Sequence, residues 1–109
     1  MMNSLRLALA LATVLACPTA VMAAGDVDAG KAKANTCMGC HGIKGYANSY
    51  PTYRVPRLGG QSAEYLVAAL KAYRSGERLH TTMQAQAESL SDEDIEDIAV
   101  YLATAPAAK

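Results

Sequence analysis

The short motif at residues 37–41, which reads Cys-Met-Gly-Cys-His, constrains this sequence more than any other feature. Two cysteines separated by two residues and followed at once by a histidine form the pattern of c-type haem attachment. The two thiols add to the vinyl groups of a porphyrin, and the histidine that follows is brought under the iron. The motif therefore predicts one covalent haem, attached through Cys37 and Cys40 and ligated to iron by His41.

Two other kinds of site use a Cys-x-x-Cys pair and compete with this interpretation. A dithiol redox centre is expected next to a βαβ unit, and this sequence shows no such alternation of strands and helices. The sequence offers a poor set of ligands for a tetrahedral zinc site, because His41 directly follows Cys40 and His80 is the only other histidine. The sequence therefore favours haem over both.

The first 23 residues have the composition of a secretory signal peptide. An apolar run from Leu5 to Ala16 is followed by small residues that suit a cleavage site after Ala23. We expect the signal to be removed and residues 24–109 to form one domain, soluble in the periplasm. A second interpretation stays open, in which Cys17 becomes a lipid-modified N-terminus that anchors the protein.

The mature chain is too small to fill a core with its own side chains. Cleavage leaves 86 of the 109 residues, with neither Phe nor Trp, so apolar volume is scarce and another component is needed. Only Cys37 and Cys40 remain as cysteines, which excludes a disulfide framework. Nine basic against ten acidic side chains do not favour nucleic acid, and no later segment has the roughly 20 apolar residues that span a bilayer.

Three segments have helical patterns. The first runs from Asp28 to Thr36, and the second begins at the cap residue Ser62 and ends at Gly76. The third begins at Ser91, which forms a capping-box pair with Asp94. The buried stripe predicted for this third helix consists of Ile95, Ile98, Ala99 and Leu102.

The connection between the first two helices, residues 42–60, is rich in Gly, Pro, Tyr, Asn and Ser. It predicts an irregular loop of about 19 residues, and a loop of that length in a compact domain is expected to wrap around something. Strand alternation is missing along the chain, so the predicted fold class is all-α.

The order of several short motifs narrows the prediction to a family. The matching segments are Asp26 to Lys33 with Gly30, Cys37 to Gly42, Pro56 to Gln61, Glu64 to Leu66, Tyr73 to Gly76, Met83, and Leu90 to Ile95. In this order they resemble the small bacterial class I cytochromes c, which carry one haem and are periplasmic. The resemblance covers residues 25–104 and implies a cytochrome c fold, with three main helices and Gly/Pro-rich loops wrapped around one covalently bound haem.

The resemblance also implies roles for single residues in holding the iron. Met83 would be the sixth ligand, and only Met38 and Met83 remain as methionines after signal removal. His80 is the rival for that position. Pro56 would offer its backbone carbonyl to Nδ1 of His41, which leaves Nε2 free for iron.

The resemblance further implies which side chains lie near the cofactor. The residues expected to pack on the ring are Leu58, Leu66 and Leu70. Gly59 and Gly60 would let the backbone approach the ring closely. Gly30 and Tyr101 would meet where the first and last helices cross.

Taken with the motif, the resemblance implies a carrier of single electrons and not an enzyme, because His/Met ligation leaves no open position on iron. Its partners would be transient redox proteins such as a membrane oxidoreductase, an oxidase or a dehydrogenase, and the chain would be a monomer. A basic rim for docking is predicted from Lys44, Arg54, Arg57 and Arg78. Two alternatives remain, the electron-accepting subunit of a dehydrogenase and a haem protein that binds gases or peroxide.

Overall fold

The structure is a computed structural model that describes residues 25–106, which form five short helices and one β-hairpin. The elements are α1 (Val27–Lys33), α2 (Asn35–His41), β1 (Ala47–Ser49), β2 (Thr52–Arg54), α3 (Ala63–Ser75), α4 (Thr81–Ala87) and α5 (Asp92–Thr104). The predicted signal segment and the alternative at Cys17 lie outside these residues. None of the described helices combines the length and the hydropathy needed to cross a membrane.

The first and last helices cross at Gly30, and this crossing organises the fold. A Cβ atom added to Gly30 would lie 1.9 Å from the carbonyl oxygen of Asp97 and 2.9 Å from Cβ of Tyr101. Only hydrogen fits at this position, so the backbones of α1 and α5 pack directly on each other. The predicted meeting of Gly30 and Tyr101 is confirmed.

An ionic cluster fastens the same crossing. The ammonium group of Lys33 contacts carboxylate oxygens of Asp94 at 2.8 Å and of Asp97 at 2.6 Å. The other oxygen of Asp97 accepts a hydrogen bond from the backbone N–H of Asp26 at 2.7 Å. Asp97 is only 3% exposed, and these partners satisfy its charge and both of its oxygens.

The described core is small and is built largely from α5. Its buried apolar residues are Ala34, Leu66, Ala87, Ile95, Ile98, Ala99 and Leu102. The largest of them, Ile95, Ile98 and Leu102, all belong to α5, which confirms the predicted stripe. Leu66 comes from α3 and Ala87 from α4, and Ala34 lies between α1 and α2.

The helix ends follow the capping residues of the sequence. Ser62 accepts a hydrogen bond from the N–H of Tyr65, and Gly76 ends α3 with a left-handed φ of 80°. Ser91 and Asp94 form a reciprocal capping box at the start of α5. These three predictions are confirmed because each depends on contacts between near neighbours in the chain.

Three features of the fold differ from the sequence-based expectation. The predicted first helix ends at Lys33, and a separate helix, α2, carries the motif. The connection over residues 42–60 contains a hairpin, in which Asn48 pairs with Tyr53; strands of three residues are too short to show alternation. Helix α4 was not predicted, because its first turn holds two threonines and its cap is a histidine.

Replacing Gly30 with Ala tests the crossing. The added methyl group overlaps the backbone of α5, so we expect the free energy of unfolding to fall by about 1–3 kcal/mol. Lys31→Ala, at an exposed position one residue away, is the matched control and should change it by less than about 0.5 kcal/mol. Denaturant unfolding of the two variants measures the difference, and equal stability would contradict the packing described.

The ionic cluster predicts a loss of stability in acid. Hydrogen bonding to Lys33 lowers the pKa of Asp94 from 3.8 to about 2 and also lowers the pKa of Asp97. A carboxylate with a depressed folded-state pKa stabilises the fold above its unfolded value, and that contribution disappears as the pH falls through the folded value. We therefore expect the free energy of unfolding to decrease between pH 3.8 and about 2.

The variant Lys33→Met tests whether Lys33 causes this acid dependence of stability. Without the ammonium group the two carboxyl pKa values rise, so the variant is less stable at neutral pH and its stability changes less across the same acid interval. Urea titrations at several pH values measure both slopes. Identical slopes for the variant and the unchanged protein would contradict the assignment.

Candidate haem site

Helix α2 places three candidate cofactor-binding side chains within one turn. Cys37, Cys40 and His41 are all half-buried, and neither cysteine is in a disulfide. Ala34, fully buried just before the helix, fixes this segment against the core, and Cys37 packs on the same apolar cluster. Burial raises the pKa of the Cys37 thiol, which keeps that sulfur in its neutral form near pH 7.

A hydrogen bond fixes the orientation of His41. Its Nδ1 lies 2.6 Å from the carbonyl oxygen of Pro56. A carbonyl oxygen only accepts, so Nδ1 must carry the proton and donate it. The lone pair of the neutral ring is then on Nε2, which is the atom available to a metal. The contact predicted between His41 and Pro56 is present.

Met83, the candidate sixth ligand, is the third residue of α4, in its first turn, and is half-buried. The helix that carries it begins at His80, whose Nδ1 accepts a hydrogen bond from the N–H of Met83 at 3.3 Å. The rival candidate, His80, is therefore the N-cap residue of the helix that holds Met83. Its role as an iron ligand and that of Met83 remain predictions.

The helices that carry the two candidate ligands are separated from each other. Helix α2 packs on α1 and α4 packs on α3, and in the described part of the chain no Cα of α2 comes within 8 Å of a Cα of α4. An imidazole nitrogen on α2 and a thioether sulfur on α4 are two donors on separate helices, and α2 also carries a pair of free thiols. This set suits a flat group bound by both helices. The donor set and its arrangement therefore fit a covalently attached haem.

Residues 53–56, here called the strap, contact both α4 and α2. At one end the hydroxyl of Tyr53 bonds the hydroxyl of Thr82 in α4 at 2.9 Å, and its ring meets the ring of His80 edge-on at 4.8 Å. At the other end the carbonyl of Pro56 holds His41. The contact of Pro56 was predicted, whereas those of Tyr53 and Thr82 were not, because no motif or periodicity marks these two residues.

The apolar residues predicted to line the site lie on or beside the core. Leu66 is 3% exposed, and Leu58 and Leu70 are half-buried against the same cluster. The two glycines predicted to approach the ring make close contacts within the protein. A Cβ at Gly59 would lie 2.3 Å from the carbonyl oxygen of Pro106, so its close approach is to the chain end after α5.

Gly60 also has a structural reason to be glycine. Its φ is 81°, in the left-handed region, and its N–H donates to the carbonyl of Leu102 at 2.9 Å. Both glycines therefore contact the segment from Leu102 to Pro106 at the end of α5. Contact of Gly60 with the cofactor stays a prediction.

The predicted basic rim is divided in the structure. Lys44 and Arg54 are exposed, and Arg57 is half-buried. Arg78 donates to the hydroxyl of Tyr65 at 3.1 Å, and its guanidinium lies 4.7 Å from the centre of the Tyr73 ring. An open depression of about 610 Å³ beside the strap is lined by Gly45, Tyr46, Arg54, Val55, Pro56 and Arg57.

The competing interpretations of the cysteine pair find no support in residues 25–106. Within that range no three His, Cys, Asp or Glu side chains form a group that could hold a metal ion. The pair lies on a short helix that packs on another helix, and the βαβ setting of a dithiol centre is missing from the described elements.

Comparison with known proteins gives consistent matches. The family model described as cytochrome c matches residues 27–106. Cytochrome c-554(548) of Halomonas halodenitrificans is 49% identical over 81 residues, which cover 72% of this chain and 94% of that protein. Cytochrome c4 of Pseudomonas aeruginosa is 43% identical over 82 residues, covering 75% of this chain and 39% of that protein.

Among solved structures, the thiosulfate dehydrogenase TsdBA of Marichromatium purpuratum matches with a TM-score of 0.64 and 33% identity. The match covers 77% of this chain and 20% of that one. The chain thus corresponds to nearly the whole of the Halomonas protein, to about two-fifths of the cytochrome c4, and to a small part of the dehydrogenase.

Proposed function

This chain belongs to the cytochrome c family, and from that premise we propose that it carries single electrons between redox partners on one haem c. Members of the family bind haem covalently, and the motif at residues 37–41 supplies the attachment. Cys37 and Cys40 form the two thioether links, His41 is the proximal iron ligand and Met83 is the distal one.

The observation that carries this assignment is the separation of α2 from α4. The two helices that hold the proposed ligands have no Cα atoms within 8 Å of each other, yet the strap contacts both of them. Two helices that are not in contact, one with a nitrogen donor and the other with a thioether, suit a planar group held by both. The small core, with three large buried side chains from one helix, supports the same conclusion.

The bound haem supplies the chemistry, a reversible one-electron change at iron. His41 presents Nε2 because its Nδ1–H is held by Pro56. The side chains of Leu58, Leu66 and Leu70, with the backbone at Gly60, form an apolar surround. Such a surround disfavours the extra positive charge of the oxidised state and so raises the reduction potential.

The same ligand set makes the protein a carrier and not an enzyme. With His41 and Met83 both bound, no coordination position is left for a substrate, so electrons pass through the edge of the ring. A carrier has to leave one partner for the next, and weak docking steered by surface charge serves that purpose. The exposed Lys44 and Arg54 supply such charge on the hairpin side.

We further propose that the protein works in the periplasm as a monomer. Residues 1–23 would be removed as a signal peptide, leaving residues 24–109 as the cytochrome domain. The alternative is an anchor through lipid-modified Cys17. Mass spectrometry of the mature N-terminus distinguishes them, since diacylglycerol on Cys17 would contradict the soluble form.

The assignment of Met83 predicts a specific spectral loss. Met83→Ala should abolish the charge-transfer band between methionine sulfur and ferric iron and lower the reduction potential, because the thioether favours the reduced state. Met38→Ala is the matched control, as Met38 is the only other methionine of residues 24–109; it should keep the band. Visible spectra and redox titration measure both effects, and a band that survives in Met83→Ala would refute the assignment.

Charge steering predicts an effect on reaction with a small anion. Lys44→Glu should slow oxidation of the ferrous protein by ferricyanide roughly threefold or more at low ionic strength, because an attractive charge becomes repulsive. The difference should vanish in high salt. Lys31→Glu, an equal change at an exposed lysine on α1, controls for net charge. Equal rates for both variants would argue against a rim at Lys44.

A second candidate function is favoured by one comparison. The match to part of a thiosulfate dehydrogenase structure suits a chain that accepts electrons as the cytochrome subunit of a periplasmic dehydrogenase. Purification from the native membrane-free extract tests this, because a subunit would co-elute with a catalytic chain in fixed proportion. Elution as a free monomer supports the carrier.

A further inference from the structure

His80 occupies an unusual position for a histidine, the N-cap of a helix. The preferred caps are Ser, Thr, Asp and Asn, which accept a backbone hydrogen bond with a side-chain oxygen. Here Nδ1 of His80 accepts from the N–H of Met83, three residues later. The residue that receives this support from the cap is the proposed distal ligand itself.

The ring of His80 is held between two tyrosines from other elements. Tyr53 of β2 meets it edge-on, with ring centres 4.8 Å apart and an interplanar angle of 81°. Tyr73 of α3 meets it at 6.2 Å and 77°. The hydroxyl of Tyr53 also bonds Thr82, one residue before Met83. The cap is therefore fixed by the hairpin and by α3 at the same time.

The capping bond also determines which nitrogen of His80 carries the proton. Nδ1 uses its lone pair to accept from Met83, so in the neutral ring the proton is on Nε2. A histidine that binds iron through Nε2 needs that lone pair free. The cap therefore leaves His80 in the tautomer that cannot bind iron through Nε2.

We infer that His80 is a positioning residue for the distal ligand: held by Tyr53 and Tyr73, it fixes the start of α4 so that Met83 reaches the iron, and the same bond removes His80 as a competitor. This inference rests on the proposed function, because it assumes that Met83 is the ligand. The inference gives a role to Tyr53, Tyr73 and His80, none of which belongs to the cysteine motif.

Competition with free imidazole measures how firmly Met83 is held. In His80→Ala the cap is lost, and we expect ferric protein to bind imidazole about fivefold more tightly, with loss of the methionine charge-transfer band at lower imidazole concentration. His80→Asn restores a capping oxygen and should return the dissociation constant to within about twofold of the original. Tyr53→Phe, which removes only the hydroxyl, should shift it about twofold in the direction of His80→Ala.

Ser91→Ala is the matched control. It removes the cap of α5, a helix whose packing partners are α1 and α3, and should lower the melting temperature without changing the imidazole dissociation constant. The inference about His80 would be overturned if His80→Ala and Tyr53→Phe both left the imidazole dissociation constant unchanged while Met83→Ala still lost the charge-transfer band. That result would leave the proposed ligand in place. A band that survives in Met83→Ala would overturn the proposed ligand, and the inference with it.

The tautomer is tested in the Met83→Ala protein. The backbone N–H of residue 83 is still present there, so the cap persists and His80 stays off the iron. The ferric spectrum should be high-spin, and adding His80→Ala should leave it unchanged. A low-spin bis-histidine spectrum that disappears in the double variant would overturn this part of the inference.

Discussion

The rest of the structure depends on how α1 and α5 meet, because this crossing joins the first described helix to the last. Gly30 allows backbone contact, and Lys33 neutralises the buried Asp97 beside it. Helix α2, which carries the cysteine motif, follows α1 after one residue, and α3 packs on both α5 and α4. Within residues 25–106 the helices that carry the two proposed ligands, α2 and α4, have no Cα atoms within 8 Å of each other, and the strap contacts both.

The acidic run between Glu88 and Asp97 illustrates why charge counted along a sequence differs from charge on a surface. Asp94 and Asp97 bind Lys33, and Asp92 binds Arg74 at 2.5 Å. The pKa values of all three carboxyl groups are lowered by these cationic partners. Three of the six acidic residues in this run are therefore engaged in ion pairs within the fold.

The features predicted correctly depend on short-range contacts or on a fixed motif. The Ser91 capping box, the Gly76 helix stop and the stripe of α5 each follow from spacing within one helix, and the Pro56 contact followed from a family resemblance. The features that were missed depend on contacts across the fold. The contacts of Tyr53 with Thr82 and His80 form only when the hairpin reaches α4, and the contact of Gly59 is with Pro106, 47 positions further along the chain.

The strap also has a fixed length between the residue that contacts α4 and the residue that contacts α2. From Tyr53 to Pro56 the chain advances three residues, and three extended residues span at most about 10–11 Å. Tyr53 is attached to α4 and Pro56 to α2, so this length is the upper bound on the separation of the Cα atoms of these two residues. An insertion there would slacken the connection and a deletion would tighten it, whereas the tip of the hairpin around Tyr50, 93% exposed, can vary in length without changing that distance.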